Sequence, residues 1–432
     1  MRDVTICCMG CLVLLLLMTG LAYAASLPSD TFSGDEGFIV HGPFITNTSA
    51  RSATVSWKTA EPVYGALLYS REENYTRSGE YDVSVSDPAV SEFHRIVLDN
   101  LEPGQMYHYT IPVGPSPSPD YHFRTFPEKG SVTFIVYGDT RDEPPLFTQA
   151  DRHRLVAERI GREDNVSFVI HTGDLVYSGN ETAEWKRFFS AAGEMLANNS
   201  FVPVPGNHDD NPAFSGLFGP SPWYSFDCAG VHVIVLDSTD RSWPVMDDQT
   251  AWLEKDLNRT PASQFVVVTF HHPFYSSDPR TTGSPMHEKW EDIFVRGGVD
   301  LAFNGHMHVY ERYEERGIPY VVVATGGAPL YTQGNVSVNG YRNGLANTLG
   351  YVRVTVDTSN STGSMDFVKV AEVSPDNRNI TRVHPAGTLF ETVPLDFDTR
   401  VTFAPPTQPA PYCDMVWIGL GIGLFITWRF RR

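Results

Sequence analysis

The chain has 432 residues, with 32 Lys and Arg against 51 Asp and Glu, which gives a formal net charge of −19. Hydrophobic residues make up 41% and charged residues 19%, so the composition is that of a globular protein and excludes a mainly disordered chain. The acidic balance argues against nucleic acid as a specific partner, because phosphate backbones are bound through Lys and Arg, and the length predicts two or three domains.

The first predicted element is a secretory signal peptide over residues 1–24. Arg2 precedes the apolar run Leu12–Met18, and residues 22–24 form a small-x-small cleavage pattern. A membrane-spanning start helix is the alternative, but the apolar run is short. Export also agrees with nine Asn-x-Ser/Thr sequons, which predict a glycoprotein. Their asparagines are Asn47, Asn74, Asn165, Asn180, Asn198, Asn258, Asn335, Asn360 and Asn379.

Residues 36–127 have the pattern of short β-strands separated by Gly and Pro turns. Hydrophobicity alternates along Ala53–Trp57 and along Phe93–Leu98, and the turn Leu101–Gly104 precedes another such strand. Short alternating strands with turns of this kind indicate a β-sandwich. We therefore expect an all-β domain in this part of the chain.

Residues 131–400 have a different pattern, in which apolar runs alternate with helical stretches. Val132–Tyr137 and Phe168–His171 each lead into a Gly-Asp pair, and the helical stretch Asp151–Gly161 lies between them. This alternation indicates an α/β architecture in layers. After Gly350 the pattern is again that of strands, which we expect to belong to the same domain.

Five loops that follow predicted strands carry side chains able to bind metal ions. Because the carboxyl ends of strands in an α/β sheet meet at one edge, we expect these loops to converge. A mixture of carboxylate, amide, imidazole and phenol suits two metal ions better than one tetrahedral zinc. Asp174 is central in the order of the loops and is the candidate bridging ligand. The candidate residues are Asp139, Asp174, Tyr177, Asn207, His208, His271, His306 and His308.

These motifs resemble those of the calcineurin-like metallophosphoesterases, and among them the purple acid phosphatases. The matching segments are GD, GDxxY, GNHD, VxxH and GHxHxYER. The strand around Trp57 and the turn LEPGQMYHY resemble the fibronectin type III-like domain that precedes purple acid phosphatases. The resemblance implies an α/β (α+β layered) fold, a four-layer metallophosphoesterase β-sandwich flanked by helices, preceded by an all-β fibronectin III-like sandwich.

The resemblance also implies a ligand set and a catalytic set. Of the two ions, one would be Fe(III) and the other Zn, Mn or Fe(II), with two divalent ions as the alternative. The first ion would be held by Asp139, Asp174, Tyr177 and His308. The second would be held by Asp174, Asn207, His271 and His306. His208 would contact the phosphate or the leaving group, and Asp209 would orient His208.

The first motif departs from the family pattern at one position. Purple acid phosphatases have Asp-x-Gly there, whereas this chain has Asp139-Thr140-Arg141. Arg141 could reach a phosphate oxygen as a planar donor, and it is a candidate catalytic residue for that reason. The alternative is an arginine paired with Asp142 or Glu143.

The last predicted elements are a Pro-rich linker over residues 401–411 and a membrane anchor over residues 412–428. The anchor segment has 17 residues with one charge, Asp414, and the basic segment Arg429–Arg432 follows it. That length is the lower limit for a spanning helix, and basic residues favour the cytoplasmic side. A core helix and a tail exchanged for a lipid anchor are the alternatives. The pattern predicts an exported protein on the extracellular face of the cell membrane.

The expected function is hydrolysis of phosphate monoesters outside the cell by attack of a metal-bound hydroxide. The substrate would be a phosphate ester, and the membrane would be a partner through the anchor. One alternative is a phosphodiesterase or nucleotidase on the same core, because a fold does not determine a substrate. Another is a non-catalytic surface recognition protein. The sequence predicts no oligomeric state.

Overall fold

The computed structural model describes residues 38–114, 116–143, 150–209, 211–219, 221–239, 243–278, 285–334 and 337–397. The predicted signal peptide (1–24), Pro-rich linker (401–411) and membrane anchor (412–428) lie outside these residues and stay predictions. Within the described residues, no helix is both long enough and apolar enough to cross a membrane.

The N-terminal part is a β domain, as the sequence predicts, with one short helix between its strands. Its elements are β1 (Ile39–Thr46), β2 (Ala53–Arg71), α1 (Glu72–Ser78), β3 (Val83–Leu98), β4 (Met106–Thr110) and β5 (Tyr121–Arg124). The five strands form one hydrogen-bonded sheet, because the long strand β2 pairs with β1 in its first half and with β4 in its second. The two halves share one apolar cluster that includes Trp57, Leu67 and Tyr109.

The rest of the described chain contains fourteen strands and five helices, so it has the layered composition expected from the sequence. In chain order they are β6 (Ser131–Tyr137), α2 (Ala150–Ile160), β7 (Val166–His171), α3 (Thr182–Asn198), β8 (Phe201–Pro203), α4 (Asn211–Phe218), β9 (Tyr224–Cys228), β10 (Val231–Val235), α5 (Trp243–Leu257), β11 (Phe265–Thr269), α6 (Pro285–Gly297), β12 (Leu301–Asn304), β13 (Tyr310–Glu315), β14 (Ile318–Val323), β15 (Tyr341–Leu345), β16 (Thr348–Asp357), β17 (Thr362–Val373), β18 (Ile380–Val383) and β19 (Leu389–Asp396).

These strands form two seven-stranded sheets. One has the order β18-β17-β16-β6-β7-β8, with β19 paired to β17, and the other has the order β15-β13-β14-β12-β11-β10-β9. Strands β6, β7 and β8 are parallel, and so are β10, β11, β12 and β14. The loops that follow parallel neighbours leave at the same edge of a sheet, and this edge carries the predicted motifs.

Apolar side chains fill the space between the two sheets and cover their outer faces. Phe134 of one sheet meets Phe303 of the other edge to face, with ring centroids 6.4 Å apart. On the outer faces, Phe188 of α3 and Trp290 of α6 lie in the clusters that pack against each sheet. The order helix, sheet, sheet, helix confirms the four-layer architecture. Burial of each such aromatic side chain contributes roughly 1.5–3 kcal/mol to the stability of the fold.

The N-terminal sheet packs directly against α3. The ring of Phe44 in β1 lies 5.1 Å from that of Phe189, and the Tyr109 hydroxyl donates a hydrogen bond to the Ala197 carbonyl oxygen at 2.7 Å. Helix α3 is apolar on two sides, since Trp185 and Phe188 also are buried. The all-β domain therefore shares a core with the layered domain and supports the helix that lies behind two of the motif loops.

Candidate metal centre

The two Gly-Asp loops are held together through their backbones at the ends of β6 and β7. The Asp139 N–H donates to the Gly173 carbonyl oxygen at 3.0 Å, and the Thr140 N–H donates to the Asp174 carbonyl oxygen at 3.1 Å. Asp139 and Asp174 both have left-handed backbones, with φ of 57° and 55°. A residue other than glycine rarely adopts this conformation, and such residues are concentrated at functional sites. The pairing turns both carboxyl groups toward one place.

Two glycines allow the neighbouring loops to approach these aspartates. A Cβ atom at Gly206 would lie 2.0 Å from the Asp174 nitrogen, and one at Gly305 would lie 2.5 Å from Asp139 Oδ2. Neither distance is compatible with a side chain. Gly206 is therefore required by close packing against the Asp174 backbone, and Gly305 by close packing against the Asp139 carboxylate.

The first group of candidate ligands consists of Asp139, Asp174 and His308. One ligand atom from each lies within 4.8 Å of the other two. His308 Nε2 is 3.3 Å from Asp139 Oδ1, and its Nδ1–H donates to the Pro329 carbonyl oxygen at 2.6 Å. Because Nδ1 is used in this way, Nε2 carries the lone pair that a metal ion needs.

The second group surrounds His271. Its Nδ1–H donates to the Thr172 carbonyl oxygen at 2.9 Å, so Nε2 faces the centre. That atom is 3.3 Å from Asp174 Oδ1, 3.3 Å from His306 Nδ1 and 3.1 Å from Asn207 Oδ1. The structure therefore brings together three imidazole or amide side chains that the sequence predicted as ligands and links them to the first group through Asp174.

His272 is also part of this second group, although the sequence did not single it out as a ligand. A ring nitrogen of His272 lies within 4.8 Å of ligand atoms of His271 and His306. Its Nδ1 is 2.9 Å from Ser238 Oγ, which also accepts the His272 backbone N–H. The doubled histidine of the HHPFY segment was the only signal in the sequence, and it does not say which way the second ring points.

The electrostatics of the centre agree with a site for cations. Burial lowers the pKa of His271, but the neighbouring carboxylates of Asp174 and Asp139 outweigh this and raise it. Burial and the charge of His271 lower the pKa of His306 to about 3, so its imidazole is neutral and can act as a ligand. Two buried carboxylates that draw a proton onto a histidine would equally attract a metal ion, so the residues present fit a metal pair.

Asp209 supports the loops through the backbone. Its side chain is buried, and its two carboxylate oxygens accept the N–H groups of Gly206, Asp174, Leu175 and Val176 at 2.7–3.2 Å. Burial and the charge of Asp174 raise the pKa of Asp209 to about 7. The four bonds tie the GD loop after β7 to the GNHD loop after β8.

His208 is oriented by another group than the sequence suggested. Its Nδ1–H donates to the Tyr177 carbonyl oxygen at 2.7 Å, and its backbone N–H donates to Asp174 Oδ1 at 3.0 Å. The prediction that Asp209 orients this ring is corrected here, because the Asp209 oxygens are occupied by backbone amides and the Tyr177 carbonyl makes the contact.

Arg141 lies beside the first group and is almost fully buried. Its Nη1 donates to Glu143 Oε2 at 2.5 Å and to the Asp142 carbonyl oxygen at 3.1 Å. Its Nε is 3.6 Å from Asp174 Oδ2, beyond hydrogen-bond distance, and this buried nitrogen has no hydrogen-bond partner among the described residues. The ion pair between Arg141 and Glu143, one of the two alternatives from the sequence, is therefore present, and the Nε donor of Arg141 is not used by it.

Tyr177 lies between His208 and Arg141. Its ring centroid is 5.1 Å from that of His208, and the Arg141 guanidinium carbon is 5.6 Å from it. The Tyr177 backbone N–H donates to Glu184 Oε2 at 3.0 Å, which fixes the loop against α3. The role of the phenol as a metal ligand stays a prediction.

Comparison with known proteins agrees with this arrangement. Residues 41–125 match the family described as purple acid phosphatase, N-terminal domain, and residues 132–310 match the calcineurin-like phosphoesterase family. The chain is 26% identical over 316 residues to probable purple acid phosphatase 20 of Arabidopsis thaliana, a match that covers 63% of this chain and 70% of that protein. It is 27% identical over 352 residues to the purple acid phosphatase of Glycine max, covering 70% and 72% of the two chains.

Two other purple acid phosphatases of Arabidopsis thaliana are matched over 62% and 60% of their own length. Among solved structures, the purple acid phosphatase PPD1 from yellow lupin seeds (Lupinus luteus) is similar with a TM-score of 0.66 at 18% identity, over 86% of this chain and 78% of that one. At this identity the likeness shows the fold. The chain therefore carries a purple acid phosphatase N-terminal domain and a calcineurin-like phosphoesterase domain, its fold matches that of a purple acid phosphatase, and these likenesses indicate a phosphoester hydrolase.

Proposed function

We propose that this chain hydrolyses phosphate monoesters with a pair of metal ions. The observation that carries the proposal is the meeting of two ligand groups at Asp174, whose Oδ1 is 3.3 Å from His271 Nε2 and whose carboxylate also belongs to the group with Asp139 and His308. A carboxylate shared by two groups is what holds two metal ions close together in dinuclear hydrolases.

The residues that would hold the ions are those predicted from the sequence. The first ion would be held by Asp139, Asp174, Tyr177 and His308, and the second by Asp174, Asn207, His271 and His306. With Tyr177 as a ligand the first ion would be Fe(III) and the second Zn, Mn or Fe(II); without it, two divalent ions suit the same donors. When bound, such a pair supplies positive charge for the phosphoryl oxygens and makes a water molecule more acidic.

His208 is the candidate general acid for the leaving oxygen. Its Nδ1–H is engaged by the Tyr177 carbonyl oxygen, so only Nε2 is free to take up and give a proton. A protonated imidazole in this orientation would deliver the Nε2 proton to the departing alkoxide. The backbone bond from His208 to Asp174 keeps this ring at the edge of the centre.

Arg141 is the candidate donor to a phosphoryl oxygen. Its buried Nε lies 3.6 Å from Asp174 Oδ2 and has no hydrogen-bond partner among the described residues. A buried donor without an acceptor costs about 1–3 kcal/mol, and a phosphoryl oxygen beside Asp174 would satisfy it. The guanidinium would then position the substrate and stabilise the charge that develops on it.

The proposal places the reaction outside the cell. Of the eight sequon asparagines that lie among the described residues, six are exposed, namely Asn47, Asn165, Asn180, Asn258, Asn360 and Asn379. Asn198 is half-buried and bonded by its side chain to the Glu194 carbonyl oxygen and the His122 N–H, so a glycan there would break packing contacts. Mass spectrometry of the protein before and after enzymatic deglycosylation tests which sites are used.

The central experiment combines metal analysis with turnover. We expect about two metal equivalents in the purified protein and hydrolysis of an aryl phosphate faster than of a bis-aryl phosphate. Asp174→Asn should reduce turnover by about a thousandfold or more and prevent loading of two ions, because the shared carboxylate is lost. The matched control is Asp151→Asn, which removes an exposed carboxylate of α2 that pairs with Arg154.

Three outcomes would count against the proposal. Full turnover with both metals retained in Asp174→Asn would refute the shared ligand. Faster hydrolysis of the bis-aryl phosphate would favour the phosphodiesterase alternative. Well-folded protein that binds no metal would favour a recognition protein.

A further inference from the structure

Glu143 is the residue that holds the Arg141 guanidinium at the edge of the candidate metal centre. Its Oε2 accepts the hydrogen bond from Arg141 Nη1 at 2.5 Å, and 31% of the Glu143 side chain is exposed against 8% of the Arg141 side chain. The second carboxylate near this guanidinium is Asp174, 3.6 Å from Nε, and Tyr331 also interacts electrostatically with the guanidinium. The negative charge of Glu143 is thus held against the same guanidinium whose Nε has no hydrogen-bond partner among the described residues.

The Glu143 carboxylate would repel an anion that accepts a hydrogen bond from Arg141 Nε. Two acceptors on one guanidinium lie roughly 5–6 Å apart, so an anion at Arg141 Nε would be repelled by Glu143. We expect this repulsion to weaken binding by about fivefold for each unit of charge on the anion, a value between the Coulomb repulsion in water and that in a protein interior. Above a pH of about 6 a monoester phosphate carries two charges, whereas a diester carries one.

We propose that Glu143 sets the charge preference of this site and disfavours doubly charged phosphoryl groups relative to singly charged ones. The proposal rests on the function proposed above, because it takes Arg141 Nε as a donor to the substrate. Among phosphate monoesters, the substrate class that follows is the monoester that retains one proton and so carries a single negative charge. Glu143 is therefore a specificity-determining residue, which acts through Arg141.

The test is Glu143→Gln, which removes the charge and keeps the shape of the side chain. At about pH 7.5, where a monoester is doubly charged, the KM for an aryl phosphate should fall about 25-fold and the KM for a bis-aryl phosphate about fivefold. The preference between them therefore shifts about fivefold toward the monoester. Calorimetry should show tighter binding of inorganic phosphate as well, a measurement that does not depend on turnover.

Two further variants serve as controls. Glu143→Asp keeps the charge and should keep a wild-type preference between the two esters. Glu254→Gln removes a carboxylate from an exposed ion pair with Arg296 and should leave both KM values unchanged. Glu143→Ser removes the charge with a different side chain and should shift the preference as Gln does, so a folding defect in one variant does not decide the result.

An unchanged preference in both charge-removing variants, with metal content and melting temperature as in the wild type, would overturn the role of Glu143. Tighter phosphate binding in Glu143→Asp to the same extent as in Glu143→Gln would also overturn it, since the charge is then irrelevant. Either result would leave hydrolysis intact. Failure of the proposed function would instead appear in the unmodified protein as a lack of metal or of turnover, so the two failures are distinguishable.

Discussion

Asp209→Asn removes one hydrogen-bond acceptor and should destabilise the protein at the two loops, after β7 and β8, that belong to the candidate metal centre. The Asp209 carboxylate is buried and accepts four backbone N–H groups, two at each oxygen, from the loops after β7 and β8. In Asp209→Asn, one oxygen becomes an NH₂ group that faces two N–H donors and can satisfy neither. A buried donor without a partner costs about 1–3 kcal/mol, so we expect a loss of about 2–6 kcal/mol in the free energy of unfolding.

The assay is denaturant unfolding of the folded chain, with Asp151→Asn as the matched control. Asp151 is exposed and pairs with Arg154 within α2, so its loss should cost less than about 1 kcal/mol. Metal content should fall in Asp209→Asn, because the Asp174 and GNHD loops are no longer tied together. If the free energies of unfolding of the two variants lie within about 1 kcal/mol of each other, the four hydrogen bonds to Asp209 do not contribute the stability expected from the structure.

Three further variants test other parts of the structure. His208→Ala should slow esters with poor leaving groups by about 10²–10⁴-fold and esters with good leaving groups much less, and equal losses would contradict a general acid. Burial lowers the pKa of His232, but hydrogen bonds to Asp227 and Asp256 outweigh this and raise it to about 9. Because the pKa in the folded state exceeds that in the unfolded state, about 2–3 kcal/mol of stability that is present below about pH 6.5 should be lost as pH rises to about 9. His232→Gln should abolish this dependence in unfolding measured at several pH values. Gly206→Ala should reduce metal content and activity together, because its Cβ would lie 2.0 Å from the Asp174 nitrogen, and retention of both would mean that the loops can separate.

Much of the layered fold could be predicted because its strands are buried on both faces. Val231–Val235 and Phe265–Thr269 are buried and parallel, so each is a predominantly apolar segment that can be recognised without reference to its neighbours. The N-terminal sheet was harder. The sequence predicted its strands, but not that β2 would pair along its whole length or that Phe44 would pack on α3, because pairing and docking depend on residues distant in the chain.

The convergence of the ligands was predictable for a local reason. Each candidate ligand follows a buried strand within a few residues, so order along the chain translates into position at a sheet edge. A glycine directly before four of them permits close approach, namely before Asp139, Asp174, Asn207 and His306. The support of these ligands was not predictable. The family resemblance implied that Asp209 orients His208, yet the Asp209 carboxylate accepts four backbone N–H groups instead, and adjacent side chains on a turn often point in different directions.

Arg141 shows why a choice between two interpretations of one residue can be false. The sequence allowed either a pairing with Glu143 or a contact with phosphate, as if one excluded the other. A guanidinium has five N–H donors in a fixed plane, and Glu143 uses Nη1, while Nε lies 3.6 Å from Asp174 Oδ2 and has no hydrogen-bond partner among the described residues. The ion pair keeps the buried guanidinium in place and sets the direction in which its other donors point. In the function proposed above, this pairing positions the guanidinium for a phosphate contact, and in the further proposal the Glu143 carboxylate also limits how much negative charge that contact accepts.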